Sequence, residues 1–76
     1  MHVVIAHVDK VFFEGEADSL TAPGSDGEMT VLGEHMPLVT TLKEGVLTVR
    51  VGEQEQKFSV AEGLMEVRRD GATVIL

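Results

Sequence analysis

The sequence predicts an all-β fold, a small β-sandwich of about nine to ten short, mostly antiparallel strands. Three observations point there. Turn-forming residues recur at short intervals: Gly15, Pro23-Gly24, Gly27, Gly33, Gly45, Gly52, Gly63 and Asp70-Gly71. The segments between them run for about four to seven residues and are rich in Val, Thr, Leu and Phe, which suit a pleated, half-buried surface. No window repeats apolar residues at the helical spacing for long enough to bury one face of a helix.

In chain order, the first strands are expected at Val3–Val8, Val11–Phe13 and Asp18–Ala22. Gly24 and Gly27 then flank Ser25-Asp26, which suits a tight turn where positive φ is required. Met29–Leu32 follows, with Met29 and Val31 alternating around Thr30 as in a half-buried strand. Pro37 breaks the ladder before Leu38–Leu42, since it has no N–H to donate. The clearest alternation is Val46–Val51, with Leu47, Val49 and Val51 expected inward and Thr48 and Arg50 outward. A turn across 52–55 returns the chain as Lys57–Val60, with Phe58 and Val60 inward. The last hairpin is Leu64–Arg68 with Ala72–Leu76, turned at Arg69-Asp70-Gly71, where Asp-Gly is a favoured turn pair.

At 76 residues this is one domain, 1–76, near the lower limit for an unaided core. The absence of cysteine excludes disulfides and thiolate metal sites, and fits a reducing compartment. No apolar run reaches the roughly 20 residues of a membrane span, and the N-terminus lacks a basic opening and the apolar stretch of a signal peptide. The expectation is a soluble, cytoplasmic protein without direct membrane insertion. Net charge is −7; residues 1–36 hold seven acids against Lys10 alone, and 37–76 hold six acids and five bases. Such a chain repels phosphate backbones, so no nucleic-acid partner is expected. Glu14, Glu16 and Asp18 are read as a solvated strand face, or as a patch steering a basic protein partner.

Nucleophilic catalysis has no support, with no cysteine and no serine in a Gly-x-Ser-x-Gly turn. Gly24-x-x-Gly27 opens no helix and is no phosphate loop. His2 and His7 differ by an odd number and face opposite sides of a regular strand, so no metal site is expected. Glu53 and Glu55 are placed in a solvated hairpin turn. No cofactor is implied. The chain reads as a non-catalytic interaction module, and the loops around residues 24–38 are where a partner would dock.

Nearly the whole chain, residues 2–76, resembles the N-terminal β-sandwich domain of the epsilon subunit of bacterial and chloroplast F-type ATP synthases. The resemblance runs in order through Val11-Phe12-Phe13-Glu14-Gly15-Glu16-Ala17-Asp18, Pro23-Gly24-Ser25-Asp26-Gly27-Glu28 and Leu32-Gly33-Glu34-His35-Met36-Pro37-Leu38. It continues through Leu42-Lys43-Glu44-Gly45-Val46-Leu47 and Gly63-Leu64-Met65-Glu66-Val67 with Thr73-Val74. The pattern departs at Gly33-Glu34, where the family has Pro-Gly, at Lys43-Glu44-Gly45 for Lys-Pro-Gly, and at Ala61-Glu62-Gly63 for Ser-Gly-Gly. The family's C-terminal helical hairpin would begin where this sequence stops, at Leu76, so neither its inhibitory motion nor its nucleotide binding is carried over.

The resemblance implies a central-stalk (rotor) subunit that binds the gamma subunit and the c-ring and couples proton or sodium translocation to ATP synthesis. It would lie peripherally on the cytoplasmic face of the bacterial inner membrane. On the matching positions, Glu28 and Asp26 are candidates to meet the c-ring, and His35, Pro37 and Leu38 candidates to meet gamma. The competing reading is a stand-alone β-sandwich that binds a ligand or protein. It lacks an aromatic platform, since there is no Trp or Tyr, Phe58 alternates inward, and so must Phe12 or Phe13.

Overall fold

A computed structural model describes residues 1–34 and 36–76. Nine strands lie within them: β1 (His2–His7), β2 (Lys10–Glu16), β3 (Ser19–Gly24), β4 (Gly27–Leu32), β5 (Leu38–Leu42), β6 (Gly45–Val51), β7 (Gln54–Val60), β8 (Gly63–Arg68) and β9 (Gly71–Ile75). Their ladder runs β2-β1-β9-β8-β5-β3-β6-β7, with β4 on the other side of β3. Every pairing is antiparallel except β1 with β9, the strands nearest the two ends of the chain.

The ladder curls until its two halves share one core. Val3 and Ile5 of β1, Leu42 of β5, Met65 and Val67 of β8, and Ala72 and Val74 of β9 come from the five-stranded half. Leu20 and Ala22 of β3, Val31 of β4, Leu47 and Val49 of β6, and Val60 of β7 come from the four-stranded half. This is the small β-sandwich expected, built as the two faces of a half-barrel whose inward residues alternate along each strand.

The seam between the halves lies in β3. Ser19, Leu20 and Thr21 pair with Arg50, Val49 and Thr48 of β6, whereas Gly24 pairs with Leu42 of β5. Pro23 sits inside this strand, although the sequence places it in a turn. It is tolerated because β3 changes partner there and needs no donor from Pro23. Its carbonyl still accepts from the Lys43 N–H at 2.9 Å. Gly45 passes so close that a Cβ built on it would lie 2.8 Å from the Pro23 Cβ.

The β6–β7 hairpin is tighter than expected. Val51 pairs with Gln54 across a two-residue turn whose first residue, Gly52, has φ of 61°. Glu55 therefore belongs to a strand, where it accepts a 2.8 Å hydrogen bond from Arg50 Nη2 opposite it. Val51, expected inward, is 44% exposed because it ends β6 beyond the core. Asp18 is more than part of a solvated face, since its carboxylate accepts the Gly52 N–H at 2.7 Å.

Between Ile5/Phe13 and Ala6/Val11 the β1–β2 register slips, leaving Phe12 without a partner. Such a bulge turns two successive residues of one strand towards a single residue of the other. Phe13 packs on the core, and Phe12 turns outward, with the Lys10 ammonium 5.4 Å from its ring centroid. The preceding turn contains Val8 at φ of 52°, 85% exposed. A β-branched residue in the left-handed region is strained, whereas asparagine enters it more easily. Val8→Asn is expected to raise stability by about 0.5–1 kcal/mol, read as a higher urea midpoint at unchanged slope.

Candidate protein-interaction surfaces

The two loops singled out in the sequence lie at opposite poles of the sandwich, because β4 runs the length of the molecule between them. The tip carrying Asp26 joins β3 to β4, with Gly24 paired to Gly27 and Gly27 at φ of 131°. Ser25 fastens this tip to β5: its backbone N–H and its hydroxyl each donate to the Thr41 carbonyl at 3.0 Å, and its hydroxyl also bonds the Thr41 hydroxyl. Asp26 and Glu28 are both exposed on a turn thus held rigid at its base.

At the other pole, Pro37 is exposed, and Leu38 is half-buried, pairs with Val67 and packs against the core. His35 lies outside the described residues. Glu34, Met36, Pro37 and Arg69 line a shallow depression of about 250 Å³ there. The structure therefore brings Asp26 and Glu28 together, keeps Pro37 beside Leu38, and separates the two groups by the length of β4. His2 and His7 serve different surroundings: His2 nitrogens lie 3.5 and 3.6 Å from Glu16 and Glu14, and His7 Nδ1 lies 2.5 Å from the Leu76 carbonyl oxygen.

The outer faces of the two halves differ in chemistry. Across the four-stranded half, one cross-strand row reads Thr30, Thr21, Thr48, Lys57, and the next reads Leu32, Ser19, Arg50, Glu55. Across the five-stranded half, the row at the Asp26 pole reads Thr41, Leu64, Ile75, Ala6, Val11. Leu64, Ile75 and Val11 are 43%, 48% and 55% exposed, and Val39 stands free at 65% two residues from Thr41. A depression of about 420 Å³ lies along this row, lined among others by Thr41, Glu62, Leu64 and Ile75. Because Thr41 also anchors Ser25, the apolar row and the Asp26 turn form one continuous surface. An apolar band of this kind, rimmed by acids, is what a protein partner covers.

The sequence reading missed this row. Its signal was present in Leu64-Met65 and Val74-Ile75-Leu76, where apolar residues stand side by side instead of alternating. A strand that is apolar on both faces has something to meet on both.

A match to the family described as ATP synthase, Delta/Epsilon chain, beta-sandwich domain covers residues 1–76. Similar proteins include the ATP synthase epsilon chain of Bradyrhizobium sp. (strain ORS 278), 39% identical over 74 residues, which cover 97% of this chain and 55% of that one. The ATP synthase epsilon chain of Desulforamulus reducens is 46% identical over 67 residues, covering 88% of this chain and 51% of that one. The chain thus spans about half the length of the curated relatives it matches. Among solved structures, a chain of the Euglena gracilis mitochondrial ATP synthase (OSCP/F1/c-ring) superposes with a TM-score of 0.89 at 22% identity, covering 96% of this chain and 48% of that one. A chain of the Tetrahymena thermophila mitochondrial ATP synthase central stalk/c-ring superposes at 0.81 with 16% identity, covering 97% and 60%. At those identities the superpositions speak for the shared fold.

Proposed function

From the premise that this chain belongs to the ATP synthase delta/epsilon chain family, through that family's β-sandwich domain, we propose that it is a non-catalytic central-stalk (rotor) element. It binds the gamma subunit and touches the c-ring, and so helps couple ion translocation to ATP synthesis, peripherally on the cytoplasmic face of the bacterial inner membrane. The observation that carries this reading is the exposed apolar row Leu64, Ile75, Ala6, Val11 running into a rigidly anchored acidic turn. Gamma lies along the outer face of the five-stranded half, from Pro37 and Val39 to Leu64 and Ile75. Leu38, seated on the core, holds Pro37 and Val39 in place, and His35 belongs to the same contact. Asp26 and Glu28 project from the pole towards the polar loops of the ring. A close-packed sandwich suits such a part, since its interior deforms little under load.

Native mass spectrometry of the chain mixed with the gamma subunit encoded in the same genome tests this. A one-to-one complex at micromolar concentration is expected, and its absence would sink the proposal. Ile75→Asp should weaken that complex by about a hundredfold, the loss of a well-buried interface anchor, while leaving the circular dichroism of the free domain unchanged. Glu28→Gln should leave both the fold and the gamma complex intact and lower ATP-driven ion pumping in the reconstituted enzyme. Unchanged pumping would remove Glu28 from the ring contact.

A further inference from the structure

Opposite the seam, the half-barrel stays open. Among the described residues β2 has only β1 as a neighbour and β7 only β6, so two strand edges flank an unclosed side. Between them runs a groove of about 270 Å³ lined by Phe12, Lys57, Phe58, Ser59 and Leu76. Phe12 reaches it because the β2 bulge turns that ring out of the alternation. The sequence denies the chain an aromatic platform; the fold brings two of its three phenylalanines to one groove.

Lysines stand at this groove although the chain as a whole is acidic. The protein carries −7 and has three lysines, of which two flank the groove: Lys57 lines it, and Lys10 stands over the Phe12 ring. Glu55 is shared, accepting from Arg50 at 2.8 Å and lying 3.7 Å from Lys57. At physiological ionic strength charges beyond about 8 Å are largely screened. A ligand in the groove therefore responds to Lys10 and Lys57 more than to the distant carboxylates.

We propose that this groove binds an extended, acidic–apolar peptide segment of a partner protein, which adds a strand to the free edge of β7. The backbone of β7 supplies the ladder, Phe12, Phe58 and Leu76 receive alternate apolar side chains, and Lys10 and Lys57 pair with carboxylates between them. The groove meets the apolar row at Leu76, which lines both depressions, but its β7 edge lies outside the surface assigned above to the stalk partner, so the proposal goes beyond that function and does not depend on it.

Titration of the isotope-labelled chain with two acetylated, amidated heptapeptides tests the proposal by NMR. One alternates valine with glutamate, and the other alternates valine with lysine. The glutamate peptide should shift amide resonances along residues 10–13 and 55–59 and at Leu76, with an affinity about tenfold above that of the lysine peptide. The double variant Lys10→Glu, Lys57→Glu, both exposed and outside the core, should reverse that preference. Equal affinities, shifts centred elsewhere, an indifferent double variant, or no shift at about 1 mM peptide would each overturn it.

Discussion

Gly71→Ala is expected to cost about 3 kcal/mol or more, enough to leave little folded protein in a domain this small. Gly71 opens β9 where that strand meets β1, paired with His2 on one side and Arg68 on the other. A Cβ on it would lie far inside van der Waals contact with the His2 carbonyl oxygen and 3.0 Å from the His2 carbonyl carbon. These are backbone atoms, so no side chain can swing aside to make room. The His2 N–H is also held at 3.0 Å by the Asp70 carbonyl, so relief by moving β1 would break that bond as well. Native stability scales to only about 4–11 kcal/mol at this length. Urea denaturation followed by circular dichroism checks the expectation: a variant with a near wild-type midpoint would mean that β1 is free to step away from β9.

Leu20→Ala should destabilise the domain by about 2–5 kcal/mol. Leu20 is fully buried and belongs to β3, the strand that pairs with β4, β5 and β6. It sits between Val31 of β4 and Val49 of β6, both fully buried, and these strand neighbours on both sides resist collapse into a cavity. Leu64→Ala is the natural control. It removes the same side chain from the outer face, where Leu64 is 43% exposed, and should cost well under half as much. Similar losses from the two variants would contradict the assignment of inner and outer faces.

All nine strands are legible in the sequence because the signals that make them act within a few residues. Alternation selects the inner face of β6, and Asp70-Gly71 closes β8 on β9. What the sequence hides arises between residues far apart. Pro23-Gly24 reads as a break, yet it continues β3, because the strand exchanges β6 for β5 at that point and only the tertiary pairing reveals it. Glu55 reads as a turn residue because nothing local says that Gly52 will adopt a positive φ and close the hairpin in two residues. The candidate site is legible only in part. Asp26, Glu28, Pro37 and Leu38 are found through their loops, but the sequence cannot tell that β4 sets them at opposite poles. The apolar row of Leu64, Ile75, Ala6 and Val11 draws on four strands and on the parallel meeting of β1 with β9, so no window of the sequence contains it.

That parallel meeting also sets the order in which a growing chain can fold. β1 is an interior strand, flanked by β2 and by β9, and β9 is made about seventy residues after it. The hairpin of β1 with β2 can form early, but one edge of β1 stays unpaired until β9 leaves the ribosome. At about 5–20 residues per second the exposure lasts several seconds. During that interval Val3 and Ile5, later fully buried, have no lid, and the nascent chain offers an apolar edge to any neighbour. Its demand on chaperones in the cell should therefore fall on the period of synthesis and pass once β9 docks.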